Sequence, residues 1–178
     1  MKVLRLPFKR GALIWEPDSG GQAVIGAQSV FATRLLAVHR NRRQQTLDEF
    51  DFGSGLVTTA GVVYLAADMA GGANDINAMN WHAVGIGTTA PVIANTTMEN
   101  VTGCPARVNG TQTTPGSTNI YQSVATVSFV STLAITEWGL LSAVSAGTLW
   151  DRKTFAAINV VSGDSIQFTY QLTNTAGG

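Results

Sequence analysis

Short segments of alternating apolar and polar side chains, separated by turn-forming residues, run through much of this sequence. The pattern is clearest in residues 165–173 (SIQFTYQLT), where every second residue from Ile166 to Leu172 is apolar and Thr or Gln stand between. A period of two places one face of a strand in a core and the other towards water. Ser162, Gly163 and Asp164 supply a turn immediately before this segment. The chain is therefore expected to build an antiparallel sheet.

Other segments have the length and composition of strands. They are residues 79–87, 106–114 (polar and short, hence an edge), 121–129, 134–143 and 147–161. Strands and helices do not alternate regularly, which argues against a βαβ fold. We predict a mainly β protein, an antiparallel β-sandwich or a jelly-roll-like body with one short helix and an extended N-terminal arm.

The helix is predicted over residues 58–70. Thr58 or Thr59 can act as the N-cap, and Gly71 with Gly72 ends the segment. Its apolar residues are spaced so that one stripe faces the core; they are Val62, Val63, Leu65, Ala66 and Met69. Residues 30–43 fit either a strand or a short helix, and the pattern does not decide between them.

Charge divides the chain into two parts. Residues 1–45 hold eight basic and two acidic residues, a net charge of +6, whereas residues 46–178 hold three basic and nine acidic residues, a net charge of −6. We predict a basic N-terminal docking arm over residues 1–45 and a β-sandwich body over residues 46–178. Charged residues make up only 12% of the chain, about half the usual share, which favours a surface that packs against other protein.

The arm combines separated basic residues with apolar anchors. This spacing favours docking on a protein surface over nucleic-acid binding, for which a dense Lys/Arg block is typical. The residues predicted to dock are Arg5, Phe8, Lys9, Arg10, Trp15, Arg34 and Arg40. The arm can dock on a neighbouring copy or on another protein, and residues 20–45 can also be ordinary strands of the body. No apolar run reaches the roughly 20 residues that a membrane-spanning helix needs.

Two charges interrupt otherwise apolar strands. Glu137 lies in ITEWGL and Arg152 lies in TLWDR, on the two sides of a turn at residues 145–147. Buried charges require partners, so we expect a structural Glu137–Arg152 ion pair, with an Asp151–Arg107 pair as the alternative. A glycosidase that uses Glu137 and Asp151 is disfavoured, because no aromatic sugar platform is evident.

The sequence shows no catalytic or cofactor-binding motif among those with a recognised spacing. A Cys104–His82 nucleophile pair is disfavoured, because Cys104 precedes Pro105 in a loop-like stretch and is expected to be a small, semi-buried thiol. A cation site at Asp48, Glu49 and Asp51 is disfavoured because the segment lacks the glycine and the spacing of a calcium loop. We therefore predict a protein that is not an enzyme and that has no cofactor and no metal.

A series of short motifs resembles a family of structural proteins from the virions of tailed bacteriophages. The motifs are residues 56–62 (LVTTAGV), 82–90 (HAVGIGTTA), 107–112 (RVNGTQ), 121–126 (YQSVAT), 135–140 (ITEWGL), 147–152 (GTLWDR) with Phe155, and 163–170 (GDSIQFTY). Their order and spacing are similar to those of β-domains from head decoration, neck and tail-associated proteins. The resemblance covers residues 56–178 and leaves residues 1–50 without a counterpart.

The resemblance implies a capsid decoration (cement) protein on the capsid exterior, acting as an oligomer that is usually a trimer. Its expected partner is the major capsid protein or another virion protein, with no direct contact to nucleic acid. A tail, neck or fibre-base protein of the same phage is the alternative. The resemblance implies no catalytic residue.

Overall fold

The computed structural model describes residues 31–116 and 119–174. Within these residues, two five-stranded antiparallel sheets face each other and form a sandwich-like body. The mainly β fold and the sandwich predicted from the sequence are confirmed. The predicted docking residues Arg5, Phe8, Lys9, Arg10 and Trp15 lie outside the described residues.

The first sheet, called sheet A, has the strand order β2-β1-β10-β7-β6. Its strands are β1 (Phe31–Arg40), β2 (Thr46–Gly53), β6 (Thr111–Thr113), β7 (Ile120–Ser128) and β10 (Ser165–Asn174). Sheet B has the order β3-β9-β8-β4-β5. Its strands are β3 (Leu56–Val57), β4 (Trp81–Gly85), β5 (Val108–Asn109), β8 (Leu133–Leu141) and β9 (Leu149–Val160).

Strand β1 corrects the predicted boundary between arm and body. It pairs with β10 from Phe31 opposite Asn174 to Arg40 opposite Ser165, and it also pairs with β2. Leu35 and Ala37 on this strand are buried in the core. Residues 31–40 are therefore a strand of the sandwich, and the predicted arm does not extend through them.

The polar segment after residue 106 forms two edges. Strand β5 lies at one edge of sheet B and strand β6 lies at one edge of sheet A. The chain therefore passes from one sheet to the other at Gly110. A Cβ atom there would overlap the side chains of Ser123 and His82. Glycine therefore permits the close crossing that joins the two edges.

Aromatic side chains fill the space between the sheets. Trp138 of sheet B stacks on Tyr170 of sheet A with a ring-centroid distance of 5.4 Å. The indole N–H of Trp150 donates to the hydroxyl of Tyr170 at 2.8 Å. Both tryptophans are buried. Burial of these rings supplies a large share of the hydrophobic stabilisation.

One α-helix, α1 (Thr59–Met69), is present among the described residues and is followed by a short 3₁₀ helix (Ile76–Ala78). The hydroxyl oxygen of Thr58 accepts from the N–H of Gly61 at 3.0 Å, which confirms the predicted N-cap. Gly71 has a φ of +75° just after the C-cap. Both predicted ends of the helix are thus confirmed.

The predicted buried stripe of the helix is wrong at four of its five residues, because Val62, Val63, Ala66 and Met69 are exposed, whereas Leu65 is half-buried and packs against the core. The exposed fractions of Val62, Val63 and Met69 are 46%, 61% and 80%, and Gly61 is the helical residue that is buried. Gly61 faces the backbone of Trp150, which a Cβ atom would approach to 2.9 Å. The helix therefore packs on β9 through its glycine and leaves much of its apolar surface in water.

Candidate functional site

The strongest polar feature of the body is the ion pair between Glu137 on β8 and Arg152 on β9. Arg152 Nε donates to Glu137 Oε1 at 2.6 Å, and the exposed fractions of the two residues are 0% and 1%. The strands are joined in the predicted hairpin, with Gly139 opposite Arg152. This is the pairing that the sequence predicts, because both charges interrupt buried strands.

Backbone N–H groups complete the coordination of the Glu137 carboxylate. Oε1 also accepts from the N–H of Glu99 at 2.7 Å, and Oε2 accepts from Gly87 at 3.2 Å and Asn100 at 3.3 Å. A Cβ atom at Gly85 or Gly87 would overlap this carboxylate, so the two glycines let the backbone come close. Three backbone donors and one guanidinium offset the desolvation of the carboxylate.

Arg152 extends the same network towards the surface. Nη1 donates to Asn95 Oδ1 at 3.1 Å and Nη2 donates to Glu99 Oε2 at 3.2 Å. The hydroxyl of Thr89 donates to Glu99 Oε1 at 2.6 Å, and this hydrogen bond is the main cause that lowers the pKa of Glu99. The network thereby fastens the long connection between β4 and β5, residues 86–107, to sheet B.

Sequence reasoning missed Glu99, Asn95 and Thr89 as members of this network. They lie in a connection with neither helical nor strand periodicity, so no local signal marks them. Glu137, which accepts from the N–H of Glu99, was recognisable because a charge in a buried strand needs a counter-ion. A charge in a buried strand predicts that partners exist. It does not reveal that a loop distant in sequence supplies most of the hydrogen bonds to that charge.

The second buried carboxylate, Asp151, lies on the opposite side of β9 from Arg152. Neither of its oxygens has a hydrogen-bond partner with good geometry among the described residues. The turn at Gly55 covers it so closely that a Cβ there would overlap an Asp151 oxygen. Burial raises the pKa of Asp151 to about 6, and the nearby hydroxyls of Tyr170 and Thr33 limit the rise.

The alternative Asp151–Arg107 bridge is wrong. Arg107 Nη1 donates to the backbone oxygens of Ala143 at 2.8 Å and Ala146 at 2.6 Å. The side chain thus holds the β8–β9 turn. Because Glu137 and Asp151 belong to opposite faces of sheet B, they do not flank a common space in which a glycosidic bond could be cleaved.

His82 makes two hydrogen bonds inside the core. Its Nε2 lies 2.8 Å from Ser123 Oγ, and the indole N–H of Trp138 donates to its Nδ1 at 3.2 Å. Burial lowers the pKa of His82 to about 3, so the ring is neutral and its proton is on Nε2. A ring that donates to the serine cannot accept the proton of that hydroxyl as a catalytic base would.

Cys104 is half-buried and free. Burial, with a smaller contribution from the Glu137 charge, raises the pKa of its thiol. Both ring nitrogens of His82 bond to other residues, so a Cys104–His82 pair does not form. A neutral thiol of this kind is a poor nucleophile.

The two predicted docking residues that the structure describes lie on β1. Arg34 is exposed and donates to Asp51 Oδ2 on β2 at 2.6 Å. Arg40 is half-buried at the other end of the strand. Asp51 is one of the three carboxylates of the candidate cation site, and its ion pair with Arg34 leaves it less free to bind a cation. No group of three or more side chains suited to a metal occurs within residues 31–116 and 119–174.

A second buried pair was not anticipated. His39 Nε2 lies 3.1 Å from Asp164 Oδ2, where β1 runs beside the turn before β10. The same Asp164 oxygen accepts from the N–H of Val161 at 3.0 Å. The turn residues Ser162, Gly163 and Asp164 were visible in the sequence, but the partner strand was not assigned. The pair stabilises the end of the sandwich that is remote from α1.

Five of the ten large apolar side chains that are exposed among the described residues lie on α1 or in residues 92–93. We define the helix patch as five exposed residues, namely Val62, Val63, Met69, Val92 and Ile93. The last two belong to it because the N–H of Thr59 donates to the oxygen of Ile93 at 2.9 Å, which places Ile93 at the start of the helix. Exposed apolar groups gathered in one region are typical of surfaces that contact other molecules.

Comparison with known proteins found no match for this chain, neither a family model nor a curated protein nor a solved structure. Within the described part of the chain, no helix has the length and apolar character to cross a membrane.

Proposed function

We propose that this chain is a non-enzymatic structural protein of a tailed-bacteriophage virion, a capsid decoration (cement) protein that binds the outer shell as a homotrimer. The observation that carries the proposal is the helix patch, an exposed apolar surface on a body with few charges. The major capsid protein is the proposed partner. The resemblance of the sequence motifs to phage virion proteins is the reason for proposing a phage capsid as the assembly that this protein binds.

The proposed occupant of the helix patch is a second copy of the chain. The only charged residue of α1 is Asp68, next to its C-terminal end, and the five residues of the helix patch are all uncharged. Copies can therefore meet at this surface without strong repulsion, and its apolar area becomes buried. Repetition by symmetry then closes the oligomer.

The polar residues in the resembling motifs hold the fold together. Thr58 caps the helix, while Glu137 and Arg152 fasten the connection 86–107. Gly87 admits the Glu137 carboxylate. These side chains act inside the body, which supports a structural role for the residues that carry the resemblance.

Such a protein would stabilise a shell by binding it in preference to its precursors or fragments. Mass action then shifts the equilibrium towards the bound shell. Several arms on one oligomer would add avidity, because each contact after the first forms at a high effective concentration. The docking candidates for this role are Arg5, Phe8, Lys9, Arg10, Trp15, Arg34 and Arg40.

The number of copies per particle tests this proposal. We would purify particles of the phage that encodes the chain and measure its ratio to the major shell protein by quantitative mass spectrometry. Hundreds of copies, near one per shell subunit, are the expected result. A dozen or fewer would contradict the decoration role and favour the tail, neck or fibre-base alternative. Absence from the particles would contradict both.

The helix patch yields a prediction for the isolated protein. Val63→Asp places a charge in the patch, and we expect it to weaken self-association at least tenfold while the melting temperature of the monomer changes little. Sedimentation velocity over a concentration series measures the effect. Val130→Asp is the matched control, because Val130 is 86% exposed and lies on the β7–β8 connection. Equal association of both variants would show that the patch is not the interface.

A further inference from the structure

A pocket of about 230 Å³ opens at the end of the sandwich next to α1. Both sheets, the helix and the 3₁₀ helix contribute to its walls. The apolar lining includes Leu65, Ile76, Tyr121, Leu140, Trp150 and Leu172. The pocket is smaller than the roughly 300–1,000 Å³ of sites that hold drug-sized ligands. Its size and lining suit a single large apolar side chain.

The first described residue of the chain lies beside this pocket. Phe31 at the start of β1 is paired with Asn174 at the end of β10, and Asn174 also lines the pocket. The preceding 30 residues therefore join the body at the pocket opening. A segment attached at this point reaches the opening without crossing the molecule.

Residues 1–30 contain a suitable occupant. Their longest apolar run is ALIW at residues 12–15, and Trp15 is their only tryptophan. Fifteen residues, 16–30, form the tether between Trp15 and Phe31, and an extended chain of that length spans up to about 50 Å. A short tether gives an effective concentration in the millimolar range, which favours insertion within one chain over insertion into another.

The chemistry of an indole fits the pocket. Its ring can pack on the apolar lining and on Trp150, while its N–H requires one acceptor when buried. Asn77 and Asn174 supply amide groups to a lining that is otherwise mostly apolar. Both asparagines are exposed, so they lie at the pocket opening, where an indole N–H can reach an acceptor while its ring packs on the apolar lining.

We propose that Trp15 inserts into this pocket of its own chain and anchors the N-terminal segment to the end of the sandwich. Arg5, Phe8, Lys9 and Arg10 precede the anchor and stay available for docking on another protein. This assignment changes the role predicted for Trp15 from partner contact to internal anchor. It does not depend on the proposed virion function, since it concerns the isolated chain.

The test uses the full chain labelled with 5-fluorotryptophan and ¹⁹F NMR. Trp15→Phe identifies the Trp15 resonance among the four tryptophans. We expect this resonance to show the small H₂O/D₂O isotope shift of a buried ring, independent of protein concentration. Trp15→Phe should also move the resonance of Trp150, which lines the pocket, and leave that of Trp81, which packs in a separate cluster with Met98.

A pocket variant provides the second measurement. Leu65→Asn places a polar group in the lining, and we expect it to move the Trp15 resonance to the position and isotope shift of an exposed indole. Ala66→Asn is the control on the same helix, because Ala66 is exposed and does not line the pocket. It should leave the Trp15 resonance unchanged.

Three results would overturn the proposal. The first is a Trp15 resonance with the isotope shift of an exposed ring in the unmodified chain. The second is an unmoved Trp150 resonance in Trp15→Phe. The third is a buried Trp15 signal that appears only at concentrations where the chain self-associates, which would assign the pocket to a second copy.

Discussion

Arg152→Met is expected to lower the free energy of unfolding by about 3–5 kcal/mol, the usual cost of leaving one buried charge without its partner. The variant keeps most of the side-chain volume and removes the guanidinium 2.6 Å from Glu137. The hydrogen bonds to Asn95 and Glu99 are lost as well. Urea denaturation at neutral pH, followed by tryptophan fluorescence, measures the change.

The matched control is Arg34→Met. Arg34 also forms an ion pair at 2.6 Å, but the side chains of Arg34 and Asp51 are about half exposed. Water and salt screen such a pair, so we expect almost no change in the free energy of unfolding. If the two variants lost equal stability, burial of the Glu137–Arg152 pair would not be the source of its effect.

A double variant separates the pair from the packing around it. Glu137→Gln removes the charge that Arg152→Met leaves uncompensated. We expect the double variant to be less destabilised than the sum of the two single variants, with a coupling energy of up to about 3 kcal/mol. Amide exchange at Gly87, Glu99 and Asn100 should accelerate in Arg152→Met, because their common acceptor loses its partner.

The sequence predicts strands well where one face is buried and the other is not. The alternation in β7 and β10 reflects this difference, and both strands were placed within a residue or two of their ends. Strand β2 was missed because it is an edge strand. Its charged residues Asp48, Glu49 and Asp51 indicate solvent rather than a strand, since edges tolerate charge on both faces.

Amphipathic spacing predicts which side of a helix can be buried, but it does not show whether another element covers that side. In α1 the buried contact is made by Gly61 against Trp150, and Val62, Val63 and Met69 remain exposed. A glycine carries no hydrophobic signal, so the pattern identifies Leu65, which packs against the core, and misses the Gly61 contact. The exposed valines became informative only once the fold was known.

Of the buried charges, the sequence predicts the partner of some and not of others. Glu137 and Arg152 were paired from the sequence because a short turn joins their strands. Asp151 was assigned either to Arg107 or to a catalytic pair, since a residue's neighbour in a strand usually points to the other face and the sequence does not reveal what lies there. The structure places Tyr170, Thr33 and the Gly55 turn around it.

The buried position of Asp151 leads to a prediction about pH. Its pKa is about 6 in the folded chain, compared with an ordinary value of 3.8. The folded state therefore holds the proton more tightly, so this group's contribution is complete below pH 3.8 and is lost as the pH rises through 6. The difference between the two pKa values corresponds to a loss of about 3 kcal/mol in the free energy of unfolding at pH 8.

Asp151→Asn should remove this loss, because an amide stays neutral at every pH in the range. We expect the variant to exceed the unmodified chain in free energy of unfolding by up to about 3 kcal/mol at pH 8, and the advantage to shrink towards pH 4. Its NH₂ group can donate to the hydroxyl oxygen of Tyr170 or Thr33, both of which are near Asp151. Urea denaturation of both proteins from pH 4 to pH 8 measures the difference.

Asp51→Asn provides the control with the opposite sign. The hydrogen bond from Arg34 lowers the pKa of this exposed carboxyl, so its contribution is present above the ordinary pKa and is lost as the pH falls. The replacement should therefore bring no gain at pH 8. A constant difference between Asp151→Asn and the unmodified chain from pH 4 to pH 8 would show that the Asp151 carboxyl does not titrate near 6. In that case water or a shift of the Gly55 turn must solvate its charge in the folded chain.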